Sequence, residues 1–458
     1  MLPTSRLLLL FLLTAVLAAV PGIGRTLAAM IGLLLIALAA LDWRLSGDGA
    51  GLGVVRTVEP KLSLAEWNVV TLALSNPTPR DMRVLVRDAA PVDFEIEPAG
   101  SAIAGEGCLV GLAPSSTDSI AYRLRPKHRG DYLFGAVWLR VDGPLGLARR
   151  QYQMAGTEQP VRVYPSLKQL RRYELLVRRG LLAEAGSNAL RRLGASTEFE
   201  RLRDYLPDDD FRRINWKATA RHGKPIVNEF QEERGQNVVL MLDAGRLMGA
   251  RADMPANDEA NALLRAESPV GLTKLDYALN AAMLLAYVAS LRGDRVALLA
   301  YTDGVRVFIP PTRGRPAFLK VVEALYNLAP EAVEPDHALA FQFLASRNLR
   351  RSLAVLFTDI ADQESSGTLV AHVLRAAKQH LVVCVTLNDP TVIGPAAASP
   401  TDAQSLYQKM VAQKLLDDRA TVLATLAQRG IHTLDTDAGK LSPRLIDTYL
   451  ELKQRARV

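Results

Sequence analysis

Cysteine is nearly absent: 458 residues hold only Cys108 and Cys384. That excludes a disulfide framework and agrees with a reducing compartment. The six histidines (128, 222, 337, 372, 380 and 432) are scattered and read as surface or helix residues rather than metal ligands. Neither charge sign dominates, since 55 Lys+Arg stand against 48 Asp+Glu for a net of +7. A balance this small does not by itself point to nucleic acid. Catalytic signatures are missing too. There is no Gly-x-x-x-x-Gly-Lys-Ser/Thr loop, no His-Glu-x-x-His, no Cys-x-x-Cys and no Gly-x-Ser-x-Gly elbow. No internal repeat occurs. At 22% charged and 49% hydrophobic, the chain is too apolar to be largely disordered. Its length suggests roughly three units of ~150 residues.

The apolar content is concentrated at the front, where 30 of the first 41 residues are hydrophobic and only Arg6 and Arg25 are charged. Residues 7–20 and 26–41 form two apolar runs around Pro21-Gly22-Ile23-Gly24-Arg25. Each is shorter than the ~20 residues of a straight span, a deficit a thin bilayer accepts. A cleaved signal peptide accounts for the first run but not the second, and no clear small-x-small site follows it. A buried soluble hairpin would normally show a polar face, and neither run has one. The expectation is a transmembrane hairpin over 1–44, touching lipid through residues 7–41. Arg6 and Arg44 outvote Arg25, so positive-inside counting places both ends and the soluble portion in the cytoplasm.

Residues 52–165 alternate at period two. Val70, Leu72 and Leu74 point one way, as do Val84 with Val86, and Val137, Leu139 and Val141. Turn signals at Asn76-Pro77, Pro91, Gly100, Gly105, Pro114, Gly130 and Gly143-Pro144 separate the runs. This predicts an antiparallel β-sandwich. No catalytic spacing occurs in it, so it reads as a spacer or interaction module.

Residues 166–235 form a third segment. Residues 161–235 carry 16 Lys+Arg and 11 Asp+Glu, most of the chain's basic excess. A helix is predicted from Phe211 to Arg221, N-capped by Asp210 and stopped by Gly223. Arg213, Lys217 and Arg221 then form one stripe at i, i+4 and i+8. With Trp216 beside it, the stripe is either a solvated face or a partner-docking face. The segment lacks interleaved aromatics, so nucleic acid is not expected.

The same text carries a longer pattern: Glu198-Phe199, Leu202-Arg203, Tyr205, Asp209-Asp210, Arg212, Ile214, Asn215, Trp216-Lys217-Ala218, Ala220-Arg221 and Val227 to Phe230, with Glu229 in that last strand. It resembles the signature of the bacterial domain-of-unknown-function family fifty-eight. Two positions depart from it. Asp208 stands where Gly is usual, and Asn215 where Asp is common, which argues against an essential carboxylate there. The β domain and the helix around Ile446–Lys453 also resemble that family. The resemblance implies a membrane-anchored protein encoded beside a MoxR-type AAA+ ATPase, and a partner more than a reaction.

Residues 236–458 alternate strands and helices, predicting a mostly parallel sheet covered on both faces. Val238–Leu242 ends at Asp243, and Leu353–Phe357 ends at Thr358-Asp359. Ligands bind such sheets at the carboxyl ends of strands near a topological switch. Two carboxylates there would suit Mg²⁺. The arrangement resembles the von Willebrand factor type A fold, whose metal site looks like Asp-x-Ser-x-Ser, a separate Thr and a later Asp. Here the first motif reads Asp243-Ala244-Gly245-Arg246-Leu247, without either hydroxyl. Asp359 matches the later Asp, and no Thr is placed, Pro335-Asp336 falling about where it belongs. Arg246 would repel a cation or pair with Asp243. Residues 248–272 form a long insertion at that edge, placed to gate or replace the site.

The fold expected is therefore a transmembrane helical hairpin, an antiparallel β-sandwich and a type A-like α/β domain. The function expected is a protein-interaction scaffold at the bacterial inner membrane, acting with a MoxR-type ATPase in assembly or maturation of a complex. No cofactor is expected. The alternative is a Mg-type hydrolase or metal-dependent adhesion module using Asp243 and Asp359, for which no general base stands at a recognisable spacing.

Overall fold

The computed structural model describes residues 2–19, 21, 23–46, 51–97, 107–165, 198–206, 211, 214–231, 235–252, 271–360 and 366–455. They fall into two compact units, one within residues 2–165 and the other within 198–455.

The first unit opens with β1 (Leu2–Pro3), α1 (Ser5–Ala18) and α2 (Gly24–Leu45). At about 1.5 Å per residue, the 14 residues of α1 reach about 21 Å and the 22 of α2 about 33 Å. A hydrocarbon core is ~30 Å thick. Among the described residues only α2 is long and apolar enough to cross a membrane. Of the two short spans expected, the second is thus a full-length helix and the first a short one. Leu7, Leu35, Ala39 and Leu147 pack together, with Leu10, Phe11, Ile31 and Leu38 around them. Leu8, Leu12, Val16, Met30, Leu33 and Ile36 remain exposed.

Both ends of this helix pair are fastened to one turn. Buried Asp42 accepts the N–H groups of Leu145, Leu147 and Ala148 at 2.7, 2.7 and 2.8 Å. Thr4 caps α1 and donates its hydroxyl to Gly146 O at 2.7 Å. Arg150 stacks over Trp43, 4.3 Å from the ring centre. Leu2 and Pro3 pair with Arg149 and Ala148. Gly143 must be glycine here, because a Cβ would meet the Asp42 carboxylate at 2.3–2.5 Å.

Eleven strands follow: β2 (Gly53–Val58), β3 (Lys61–Ser63), β4 (Asn68–Asn76), β5 (Met82–Asp88), β6 (Phe94–Glu97), β7 (Cys108–Leu112), β8 (Ser116–Pro126), β9 (Gly130–Phe134), β10 (Val137–Asp142), β11 (Ala148–Met154) and β12 (Gln159–Tyr164). They form antiparallel sheets in the orders β1-β11-β10-β5-β7 and β2-β4-β8-β6, plus a small mixed sheet β3-β12-β9. The period-two reading holds: Val70, Leu72, Leu74, Val84, Val86, Val137, Leu139 and Val141 are all buried. A buried polar cluster joins the two larger sheets. Arg56 on β2 pairs with Asp88 on β5, and the Tyr122 hydroxyl of β8 donates to the same carboxylate at 2.7 Å.

The second unit begins with a hairpin of β13 (Glu198–Asp204) and β14 (Ile226–Gln231), with α3 (Trp216–His222) between them. The sheet beyond it comprises β15 (Asn237–Asp243), β16 (Arg295–Tyr301), β17 (Val305–Arg313), β18 (Ser352–Phe357), β19 (Leu381–Leu387) and β20 (His432–Thr436). Its order is β17-β16-β15-β18-β19-β20, parallel except for β17. Strands buried on both faces read as continuous apolar runs, as β15 and β18 do.

The helices are α4 (Lys274–Leu291), α5 (Gly314–Leu325), α6 (His337–Ser346), α7 (Gly367–Ala376), α8 (Pro390–Ala397), α9 (Ala403–Gln428) and α10 (Leu441–Arg455). On one face, Phe341 of α6, Val373 of α7 and Leu426 of α9 pack on Val239, Leu299 and Leu356. Helix α4 packs with α5 and α10 and is apolar nearly all round, with residues from Leu275 to Ala289 in its core. Helix α10 begins at Leu441 directly after a short 3-10 turn (Ala438–Lys440), so Ser442 lies inside it.

Candidate functional site: the carboxyl edge of the parallel sheet

Strand β15 lies between β16 and β18, so the chain leaves it in both directions. That crevice is the topological switch, where ligands of open α/β sheets bind. Asp243 ends β15, and Thr358-Asp359 follow β18, its direct neighbour. The two carboxylates therefore come to the same edge, as the sequence implies, but each has its own set of hydrogen-bond partners.

Asp243 is 2% exposed. Its Oδ2 accepts the Thr358 hydroxyl at 2.7 Å and its Oδ1 the Gly245 N–H at 2.7 Å. Asp336, which falls about where the separate Thr of the type A pattern was expected, caps α6. Burial raises the Asp243 carboxyl to about 6, against the pull of those two hydrogen bonds, and the negative charges of Asp359 and Glu334 add to the rise. The expected partner Arg246 is turned away to Glu334 at an exposed site. Gly245 has no room for a serine: a Cβ would stand 2.8 Å from Pro335 Cδ and 3.0 Å from Val333 O.

Asp359 faces two cations. Its Oδ2 accepts Lys274 Nζ at 2.6 Å, and its Oδ1 accepts Arg419 at 2.7 Å and the Ile360 N–H at 2.9 Å. Lys274 also donates to Asp389 at 2.6 Å. Arg419 reaches Asp435 at 2.7 Å and the Leu387 carbonyl at 2.8 Å. Lys274 is 2% exposed, a state lysine reaches only when paired. It is the first residue of α4, behind a Thr273–Asp276 capping box, where the helix dipole opposes a positive charge. Two carboxylates offset both penalties. Asp389 caps α8 and accepts the Thr391 N–H at 2.9 Å. Burial alone would raise its carboxyl, but Lys274 and Thr391 outweigh this and hold it below the ordinary value.

These side chains do not fit a divalent cation. Gly245 and Leu247, close to Asp243 in the chain, bring no side-chain oxygen, a side chain at Gly245 would clash, and Asp359 is engaged by an ammonium and a guanidinium. Among the described residues, no group of three His, Cys, Asp or Glu is placed to hold a metal. Of the insertion, residues 253–270 lie outside the described residues.

A cavity of about 220 Å³ opens beside the network. Lys274, Asp359, Asp389 and Arg419 line one part of it, and Leu247, Ile360, Val392, Leu415 and Leu416 another. At the end of β16, Tyr301 donates to or accepts from His337 Nδ1 at 3.0 Å. Burial lowers His337 to about 4, so it is neutral at pH 7.

Of the predicted partner face, Trp216, Lys217 and Arg221 lie among the described residues. Helix α3 starts at Trp216, capped by Asn215, whose Oδ1 accepts the Ala218 N–H at 3.0 Å. Ile214 lies outside the helix, bridged to Val227, so the helix cannot run from Phe211 as expected. Asn215 serves as the cap that Asp210 was assigned, which explains why a short polar side chain stands there. Gly223, in the left-handed region, ends the helix as predicted. Trp216 is 71% exposed, and Lys217 and Arg221 are exposed on the helix. Asp209, Asp210, Arg212 and Arg213 lie outside the described residues. Glu198 starts β13, Glu229 sits on β14, and the Tyr205 N–H bonds Pro225 O at 3.0 Å across the same hairpin.

Comparison with known proteins adds a family. An uncharacterized protein of Mycobacterium tuberculosis, Rv1480, is 27% identical over 200 residues, covering 43% of this chain and 56% of that protein. The uncharacterized protein YeaD of Bacillus subtilis is 27% identical over 176 residues, covering 38% of this chain and 42% of YeaD. The chain thus spans about half the length of these relatives. Among solved structures, proximal thread matrix protein 1 of the mussel byssus aligns with a TM-score of 0.27 at 9% identity, covering 48% of this chain and 45% of that one. Native α-2-macroglobulin of Escherichia coli aligns with a TM-score of 0.20 at 16% identity, covering 25% and 16%. Such scores carry no argument about fold or function. Residues 201–392 match the family described as "Protein of unknown function DUF58".

Proposed function

We propose that this protein is a membrane-anchored interaction protein whose α/β unit, of von Willebrand factor type A-like architecture, receives a protein partner. Helix α2 crosses the bacterial inner membrane, α1 folds back beside it, and the soluble units face the cytoplasm. The convergence of Thr4 and Asp42 on the 143–150 turn supports both ends of the pair lying on one side. Family resemblance suggests a MoxR-type AAA+ ATPase as the partner.

One observation carries the reading: the switch point is filled by the chain's own ion network. Asp359 is held by two cations and Asp243 is buried with both oxygens bonded. General acid–base chemistry needs a group within reach of a substrate proton, and neither carboxylate offers one. Exposed apolar side chains stand on the unit, Trp216 on α3 and Leu406, Tyr407, Met410 and Val411 on α9, the helix whose Leu415 lines the cavity. Buried aromatic anchors dominate protein interfaces.

The test is co-purification of the full-length protein with its neighbouring AAA+ ATPase from detergent-solubilised membranes. Trp216→Ala and the pair Lys217→Glu with Arg221→Glu weaken capture at unchanged stability, since exposed substitutions move it by under ~0.5 kcal/mol. Capture unaffected by removing residues 190–458 refutes the reading. Digestion of residues 51–458 by protease added to sealed spheroplasts refutes the cytoplasmic placement.

A further inference from the structure

The cavity beside Lys274 has features the filled network does not use. The Lys274 ammonium has three N–H donors and contacts two carboxylates, Asp359 and Asp389. Arg419 is buried, lines the cavity, and its Nε–H has no acceptor among the described residues. A buried donor left unpaired costs ~1–3 kcal/mol, so the cavity favours a ligand bearing an acceptor oxygen.

Charge decides which acceptor enters and how. Lys274 and Arg419 face three carboxylates, Asp359, Asp389 and Asp435. A fourth anion added to that set meets repulsion, but one that replaces an existing carboxylate does not. Asp359 lies in the protein body with its side chain 7% exposed, Asp435 is 33% exposed but fixed on β20 of the sheet, and Asp389 is 19% exposed. Asp389 heads α8, an eight-residue helix with Pro395 inside it and no buried residue. Of the three carboxylates, Asp389 can leave with the smallest loss of packing.

The approach to the cavity has a matching character. From Ala403 to Leu416, α9 bears only two charges, Lys409 and Lys414. Leu406 and Met410, like Tyr407 and Val411, are spaced i, i+4 on an exposed face. Val411 is four residues from Leu415, which lines the cavity. An apolar stripe with lysines beside it therefore runs toward two buried cations.

We propose that this stripe and cavity form the docking site for an acidic, apolar segment of the partner protein, one of whose carboxylates takes the place of Asp389 on Lys274. Asp389 is then an internal competitor that keeps the seat filled until the partner arrives. This rests on the interaction reading above, and the experiment separates the two.

The experiment uses the full-length protein in detergent micelles and the variant Asp389→Ser. Serine keeps a helix cap but is too short to reach Lys274. Sodium acetate is titrated against sodium chloride at equal ionic strength, and folding of the α/β unit is followed by hydrogen exchange. Acetate at about ten times its Kd raises the folding constant of the variant about tenfold, chloride does not, and the wild type responds to neither. Equal responses of the variant to acetate and chloride overturn the seat. Asp389→Asn, which keeps both cap and size, guards against a folding defect: it must remain insensitive to acetate, and a response as large as that of Asp389→Ser overturns the seat. ATPase capture is measured in parallel, and about tenfold stronger capture by Asp389→Ser is expected. Capture unchanged or weakened overturns the partner's use of the seat. No capture by any form overturns the interaction reading, while the acetate titration still decides whether Lys274 accepts an outside carboxylate.

Discussion

Asp243→Asn should stabilise the α/β unit at alkaline pH, an outcome opposite to that of most substitutions in a buried polar site. The Asp243 carboxyl is raised from 3.8 to about 6, chiefly by burial. The native state therefore holds its proton more tightly than the unfolded chain does. The sign follows: the contribution is fully present below pH ~4 and is lost as pH rises through about 6. A shift of about two units corresponds to about 3 kcal/mol. Asparagine keeps the size of the side chain and removes the ionisation. Its Oδ1 can accept the Gly245 N–H and its amide can donate to the Thr358 hydroxyl, the two partners Asp243 already has. The variant should gain up to about 3 kcal/mol at pH 8 and nothing at pH 4. Fluorescence reads this poorly, because Trp43, Trp67 and Trp138 lie in the first unit and Trp216 is 71% exposed. Hydrogen exchange of peptides from β15 and β18, corrected for intrinsic rates, can. About a hundredfold slower exchange at pH 8 is expected, since ~1.4 kcal/mol is tenfold. Equal pH profiles for wild type and variant, or faster exchange in the variant at pH 8, refute the argument that Asp243 is a strained carboxylate.

Other changes test the remaining geometry. Lys274→Met leaves Asp359 and Asp389 buried without their ammonium and should cost about 3 kcal/mol or more in thermal or urea unfolding. Arg246→Ala, which removes a pair 62% and 67% exposed, should stay under ~1 kcal/mol; a similar loss in both would refute the assignment of Lys274. Calorimetric titration of the full-length protein with millimolar Mg²⁺ or Mn²⁺ should give no binding heat, and a stoichiometric isotherm would restore the metal site. Gly143→Ala places a Cβ on the Asp42 carboxylate. The amides of Leu145, Leu147 and Ala148 should then exchange faster while β15 and β18 are unchanged; unaltered amides would show that Asp42 does not hold the turn.

Local signals in the sequence carried far. Val70, Leu72 and Leu74 alternate because one face of β4 is buried, and the pattern survives in the letters. The α/β order was legible because β15 and β18 are apolar throughout and end in Asp243 and Thr358-Asp359. The end of α3 was legible in Gly223, whereas its start was not. Asp210 and Asn215 are both good caps, and only the bridge between Ile214 and Val227 decides between them. The turn at Gly143-Pro144 was readable as a turn, but nothing local shows that Asp42 closes on it from about a hundred residues away.

The ion network was illegible for the same reason. Lys274 is 85 residues from Asp359 and 115 from Asp389, and Arg419 is 60 from Asp359. Hydrophobic periodicity says nothing about such pairings. One local clue existed: Thr273 and Asp276 form a capping box around a lysine at the first helical position, against the dipole and ahead of a helix apolar all round. A lysine so placed must be paired with buried acids. Its consequence is physical. A metal ion comes and goes with its concentration, but a lysine on a helix is always present. If Lys274 is the cation of this edge, the edge cannot be switched by ion supply. What can change is the carboxylate opposite it. Asp389, on the weakly packed α8, is the one built to move, so control of the site passes to whatever protein segment can displace it.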